Sequence, residues 1–266
     1  MHIESPLQGL TLVVTRPASQ GARTAAALRE AGAEVIEFPV LKISPIDASI
    51  TFNDLARATL IIFVSANAVA YGAPVLQRAG AIATSVQVFA IGRATAAALV
   101  DAGFKDVVSP QQSIDSEGLL ALPQLHSVEG RHIILVKGQS ELGGRTVLEQ
   151  TLIGRGAYVT VLDCYRRAPL MPDSTVREAF RVSLASGRAH ACFALSVETL
   201  DSLMNIFSSM DIEPQSQLVL LIPHPRIANA ARAAGFDKIV EVPLAESALI
   251  TALTVLKPQL LKPLTF

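Results

Sequence analysis

Six short apolar runs punctuate the chain: LTLVV (10–14), LIIFV (60–64), VQVFAI (86–91), HIILV (132–136), ACFAL (191–195) and LVLLI (218–222). They are hydrophobic at successive positions, so each predicts a strand covered on both faces. Between them lie alanine- and leucine-rich stretches of helical character. Strand alternating with helix predicts a parallel sheet flanked by helices, the α/β class.

The segments recur. AIGRATAAALVDAGF (90–104) and IPHPRIANAARAAGF (222–236) share a strand end, a helix with small residues and a closing AGF, at an offset of 132. IFVSANAV (62–69) answers FALSVETL (193–200) at an offset of 131. VVTRPASQGARTAAALREAGAEV (13–35) answers ILVKGQSELGGRTVLEQTLIGRGAYV (134–159), with a shared GxRT beginning at Gly21 and Gly143. Three pairs in one order point to a duplicated fold. In each copy the first strand-helix unit is followed by a long extended run, EVIEFPVLKISPI (34–46) and AYVTVLDCYRRAPL (157–170). Such runs suit strands passing from one lobe to another. A simple split into two lobes near residue 130 fits the periodicity equally well.

Composition narrows the chemistry. A formal net charge of -1 excludes the broad basic surface that nucleic acid requires. Basic residues are 16 Arg against 6 Lys, and arginine's planar fork grips carboxylates in pairs of hydrogen bonds. The opening MHIESPLQGL has no basic segment followed by an apolar one, and no apolar run is long enough to cross a bilayer, so a cytoplasmic protein is expected. Cys164 and Cys192 lack CxxC spacing and predict buried, reduced thiols. The five histidines form no ligand pattern, so neither a metal nor another cofactor is expected. No GxGxxG follows a strand, which argues against a dinucleotide-binding oxidoreductase.

Ligands of open α/β sheets gather beyond the carboxyl ends of the strands, where helix N-termini favour anions. The polar residues placed there are Thr15, Arg16, Ser65, Asn67, Arg93, Thr95, Lys137, Ser196, His224 and Arg226. Together they make candidate ligands for carboxylates. Ser65, Thr95 and Ser196 suit helix capping equally well.

TRP (15–17), FVSANAV (63–69), AIGRATAAAL (90–99), KGQSELGGRTVL (137–148), TVLDCYRR (160–167) and FALSVETL (193–200) occur in an order and spacing that resemble the uroporphyrinogen-III synthases along nearly the whole chain. The resemblance implies two flavodoxin-like lobes with parallel sheets, joined by a two-stranded β ladder, with an open cleft between them. Residues 1–40 and 168–266 would form one lobe, 45–160 the other, and 34–46 and 157–170 the linking strands. It further implies a lyase of tetrapyrrole biosynthesis, acting on hydroxymethylbilane without a cofactor. Loss of the terminal hydroxyl leaves an azafulvene, a substituted carbon of ring D attacks, and a spiro intermediate fragments and recloses with ring D inverted. A monomer, in transient contact with the preceding enzyme of the pathway, is the accompanying expectation. One motif departs from the family: its Gly-x-x-Thr-Ala turn stands as GRATA (92–96) in one copy, but in PHPRIA (223–228) Ile227 replaces the threonine.

Tyr165 is one of three tyrosines, and it aligns in the repeat with Leu41, so the duplicated fold does not demand a phenol there. The resemblance implies a tyrosine at this position facing the cleft. A phenol stays protonated at neutral pH and can donate to a departing hydroxyl, which makes Tyr165 the candidate catalytic residue. The alternative from another class is a two-lobed binding protein for a small anionic ligand. It would use the same arginines without chemistry.

Overall fold

The computed structural model describes residues 5–111, 115–140, 147–213 and 218–261. The chain divides into two compact units, Met1–Lys42 with Pro169–Phe266, and Ile43–Ala168. Unit 1 begins with β1 (Thr11–Val14), α1 (Ala18–Glu30) and β2 (Glu34–Glu37), and β3 (Leu41–Pro45) starts at the boundary. Unit 2 continues through α2 (Phe52–Arg57), β4 (Leu60–Phe63), α3 (Ala66–Ala79), β5 (Gln87–Ala90) and α4 (Arg93–Asp101). It ends with α5 (Ser116–Leu120), α6 (Pro123–His126), β6 (His132–Ser140), α7 (Val147–Gly154) and β7 (Tyr158–Pro169). Unit 1 resumes with α8 (Ser174–Ala185), β8 (Ala191–Phe193), α9 (Val197–Ser209), β9 (Val219–Ile222), α10 (Pro225–Ala233), β10 (Ile239–Glu241) and α11 (Glu246–Leu260).

Among the described residues, the unit 1 sheet has the order β10-β9-β8-β1-β2, with every neighbouring pair parallel. That is the flavodoxin-like order. The other sheet has the order β3-β7-β6-β4-β5. Its β4, β5, β6 and β7 pair in parallel. Ile46 N–H donates to Cys164 O, and Leu170 N–H donates to Val40 O. Residue numbers rise on one segment as they fall on the other, so β3 runs antiparallel to β7. This sheet is therefore mixed: β4, β5, β6 and β7 are parallel, and the two long extended runs pair antiparallel as β3 and β7.

The sequence repeat has a spatial counterpart. The order β9-β8-β1-β2 in one sheet matches β5-β4-β6-β7 in the other, strand for strand as the repeats align. Chain order differs, because unit 1 makes β1 and β2 first and unit 2 makes β6 and β7 last. The conserved quantity is the packing layout rather than the order of synthesis.

Both-faced burial is realised strand by strand. Ile61 and Phe63 of β4 join one apolar cluster, while Leu60 and Ile62 join another on the opposite face. β6 divides likewise, Ile134 and Val136 from Ile133 and Leu135. Unit 1 repeats the scheme with Val13 and Cys192 on one face and Leu12, Val14 and Phe193 on the other. On unit 2's sheet, α3 sits close because Gly72 lacks a side chain: a Cβ there would lie 2.3 Å from Val136 Cγ1. Two boundaries differ from expectation. The extended run 34–46 is interrupted at Phe38–Val40, around Pro39, and gives β2 to one sheet and β3 to the other. The short edge strand β10 lies outside the six predicted runs, since three residues carry too little pattern.

At the amino end of the unit 1 sheet, Thr11 N–H donates to His190 Nδ1 at 2.9 Å. Burial lowers the pKa of this imidazole, against the opposing pull of the Glu34 carboxylate. A folded-state pKa below the unfolded value means that the neutral ring stabilises the fold above about pH 6.5, and that this is lost as pH falls through the lowered folded value. Urea titrations at pH 7.5 and 5.5 should show the wild type losing stability on acidification. His190→Gln, which keeps an acceptor without titrating, should lose less; identical losses would contradict this role.

Candidate active site

In unit 2 the chain turns to opposite sides of the sheet after β4 and after β6, which lie side by side and form the topological switch point. Ser65 follows β4 directly and caps α3, its Oγ accepting from Ala68 N–H at 2.9 Å. Lys137 and Gly138 lie in the carboxyl half of β6. Tyr165 stands beside them on β7, eighth of twelve residues and well inside the strand rather than at its end.

Tyr165 reaches its position through a bulge. Lys137 pairs with Asp163 and Gly138 with Tyr165, so Cys164 is an extra residue in the ladder. Strict alternation would send Tyr165 to the face opposite Leu162 and Cys164. The inserted residue reverses that, and all three side chains join one cluster. The ring lies over Gly138, where a Cβ would sit 2.3 Å from Cε2 and Cζ. On another side Tyr71 of α3 packs at 5.7 Å between ring centroids. Tyr165 is only 3% exposed, and its hydroxyl lies 3.0 Å from Ser65 Oγ. Cys164 is no nucleophile: burial pushes its thiol up to about 12, and its Sγ points to Lys137 O at 3.3 Å.

The other candidates of unit 2 are used in different ways. Lys137 Nζ is paired with Glu149 Oε2 of α7 at 2.8 Å, so its charge already has a carboxylate. Arg93 is exposed at the first position of α4, and Thr95 is buried two residues on. Asn67 is half-buried in the first turn of α3.

In unit 1 the switch point falls between β1 and β8. Thr15 is fully buried, and its hydroxyl donates to Phe193 O at 2.6 Å, tying the two strand ends together. Arg16 is half-buried, with Nη1 donating to Thr24 Oγ1 at 3.0 Å. Arg16 lines a small pocket with Val14, Phe193, Leu195 and Leu249. Burial lowers its pKa, offset in part by Glu246, a carboxylate that bonds Arg23 at 2.9 Å. Gly21 lets the first turn of α1 approach, since a Cβ there would lie 3.2 Å from Arg16 O. Ser196 caps α9, accepting from Thr199 N–H at 3.0 Å, and its Oγ also lies 2.9 Å from Thr199 Oγ1. His224 caps α10 through Nδ1, accepting from the Arg226 N–H at 3.1 Å; both side chains are exposed. Ile227, which replaces the threonine of the turn, is buried in the core.

Each unit thus gathers its own predicted residues at the carboxyl edge of its sheet. Gly138, Tyr71, Thr24 and Glu149 were not among the sequence candidates. Of these only Gly138 had a signal, its place directly after Lys137 where the other copy has Pro17 after Arg16. The second GxRT, at Gly143, lies outside the described residues.

Comparison with known proteins bears on the chemistry. Residues 22–250 match the family described as uroporphyrinogen-III synthase HemD. The uroporphyrinogen-III synthase of Escherichia coli K12 is 30% identical over 243 residues, covering 86% of this chain and 94% of that protein. That of Salmonella typhimurium LT2 is 30% identical over 247 residues, with the same coverage of 86% and 94%. Among solved structures, a mutant uroporphyrinogen III synthase of the extremely thermophilic bacterium Thermus thermophilus superposes with a TM-score of 0.65 at 18% identity, over 94% of this chain and 99% of that one. The Helicobacter pylori 26695 protein gives 0.59 at 15% identity, over 92% and 99%. These two show a shared fold.

The contact between Gly138 and the Tyr165 ring has a direct consequence. Gly138→Ala should force the ring to move and cost about 1 to 3 kcal/mol of stability by overpacking. Denaturant unfolding measures the cost, and tyrosine fluorescence reports the ring, the chain having no tryptophan. Unchanged stability and fluorescence would show that the ring does not pack there.

Proposed function

Because the chain belongs to the uroporphyrinogen-III synthase family, enzymes that cyclise hydroxymethylbilane, we propose that Tyr165 supplies the proton on which its reaction begins. The single observation that supports this most is the phenol held on Ser65 at the switch point of unit 2. Hydroxide leaves poorly. A proton from Tyr165 lets the terminal hydroxyl depart as water while the pyrrole nitrogen lone pair pushes out the C–O bond, leaving an N-protonated azafulvene whose positive charge is lost as a proton at the last step. Attack by the substituted carbon of ring D, fragmentation of the spiro intermediate and reclosure follow, and the last step releases a proton that restores the phenol. The net change is loss of one water with no transfer of electrons.

Folding a flexible chain so that ring D attacks through its substituted carbon is a matter of positioning, which fixed anchors supply. Arg16 is the strongest anchor for a substrate carboxylate. Its guanidinium is partly desolvated and the residue lines a small apolar pocket, so an acetate or propionate arm would bring both a charge partner and methylene surface. Arg93 and Arg226, both exposed, are proposed as weaker and more salt-sensitive contacts. Lys137 would act through its pair with Glu149. Thr15 contributes by holding Arg16 in place, since its own hydroxyl is committed to Phe193. The backbone ends near Asn67, Thr95, Ser196 and His224 offer amides. A cytoplasmic setting belongs to the same proposal, supported by two free, buried cysteines. A binding protein without chemistry is disfavoured by the family membership.

With freshly made hydroxymethylbilane, Tyr165→Phe should fold normally, bind substrate and lose roughly 10- to 1,000-fold in kcat. An unchanged rate and isomer ratio would return Tyr165 to a packing role. Arg16→Ala should raise KM roughly 5- to 150-fold, the loss of a charge-assisted hydrogen bond, with little change in kcat. Wild-type KM at low salt would remove Arg16 from the binding surface.

A further inference from the structure

We infer that Ser65 works through Tyr165, as a positioning residue that couples the N-terminus of α3 to the phenol, and not as a ligand of the substrate. This rests on the reading of Tyr165 as proton donor. Ser65 Oγ already accepts from Ala68 N–H at 2.9 Å, one of the unpaired donors at the start of a fourteen-residue helix. A serine hydroxyl has one proton and two lone pairs. Donating that proton across the 3.0 Å to the Tyr165 oxygen leaves the phenol's own proton uncommitted to Ser65. When the phenol gives its proton to the departing hydroxyl, the resulting phenolate keeps the hydrogen bond from Ser65. Negative charge then develops one hydroxyl away from a helix N-terminus, where the macrodipole and the chained hydrogen bonds both favour it. The proton released on ring closure returns the phenol to its starting state.

The duplicated fold contains its own control. Ser196 aligns with Ser65 and caps α9 with the same geometry, at 3.0 Å from Thr199 N. There the spare hydrogen bond is spent within the helix, on Thr199 Oγ1 at 2.9 Å. In unit 2 the residue aligned with Thr199 is Ala68, which has no hydroxyl to compete, and the residue aligned with Leu41 is Tyr165. Two substitutions at aligned positions separate a plain cap from a relay. Burial fixes the relay further: the Cys164 bulge aims Tyr165, Gly138 receives its ring and Tyr71 flanks it.

Steady-state kinetics on hydroxymethylbilane with Ser65→Ala, Ser65→Thr, Tyr165→Phe, the Ser65→Ala/Tyr165→Phe double variant and Thr51→Ala tests this. Thr51 caps α2 in the same unit, so Thr51→Ala loses a cap of similar kind and should keep kcat. Ser65→Ala should lose about 10- to 100-fold in kcat, as expected for a hydrogen bond to a developing charge, with KM within about twofold. The alkaline limb of its kcat profile should move to higher pH, and Ser65→Thr should restore most of the rate. In the Tyr165→Phe background, Ser65→Ala should add nothing. Full kcat in Ser65→Ala beside a slow Tyr165→Phe would overturn the relay and leave Tyr165 as donor. A raised KM, or losses that multiply in the double variant, would make Ser65 an independent substrate ligand. A fast Tyr165→Phe would instead remove the reading on which the relay rests.

Discussion

A phenol buried to 3% exposure must place its hydroxyl on a polar partner, and the arrangement of unit 2 turns on how that requirement is met. One such partner is Ser65, itself held by the helix it caps. To bring the two together, β7 carries an extra residue, β6 has a glycine beneath the ring, and α3 lies close enough through Gly72 for Tyr71 to flank it. Each feature would be a small defect in a plain α/β sheet: a broken ladder, a strand glycine and a helix glycine all cost stability. Their convergence on one hydroxyl gives them a common explanation.

Duplication separates framework from chemistry. Both units set four strands in the same spatial order, put a cation in the carboxyl-end region of a switch-point strand, Arg16 just beyond β1 or Lys137 within β6, and cap the helix after the adjacent strand with serine. They then diverge in how those groups are used. Lys137 is neutralised by Glu149, while Arg16 is left partly desolvated beside an apolar pocket. Ser196 is absorbed by its own helix, while Ser65 reaches the phenol. In the proposed function, these differences leave Arg16 to hold a charged arm and Tyr165 to handle a proton.

Much of the fold was legible because the strands are buried on both faces: continuous apolar runs such as LIIFV and HIILV state their own burial, and repeat alignment anticipated which strands are spatial counterparts. Edges were less legible. β10 has three residues with Ile239 and Val240 half-buried, and the break at Pro39 depends on two sheets claiming one extended run. Among the candidate residues, position beyond strand ends marked Ser65 and Arg16, because the chemistry of open sheets depends on position along the strand, whereas Tyr165, inside β7, was marked by the family resemblance and by its place opposite Leu41 in the repeat. What each hydroxyl bonds was not readable. The Cys164 bulge arises from the register of β7 against β6, and the Lys137 pair from a helix twelve residues on, so neither leaves a local pattern.

A tyrosine that donates the first proton must have substrate, and afterwards product, against its ring. Labelling tyrosine at Cζ with carbon-13 yields one signal for each of three tyrosines, and Tyr158 lies at the opposite end of the same strand as an internal reference. Anaerobic titration with uroporphyrinogen III should shift the Tyr165 signal, identified by its loss in Tyr165→Phe, while the Tyr158 signal stays in place. A Tyr165 signal unmoved at saturating product would contradict the account.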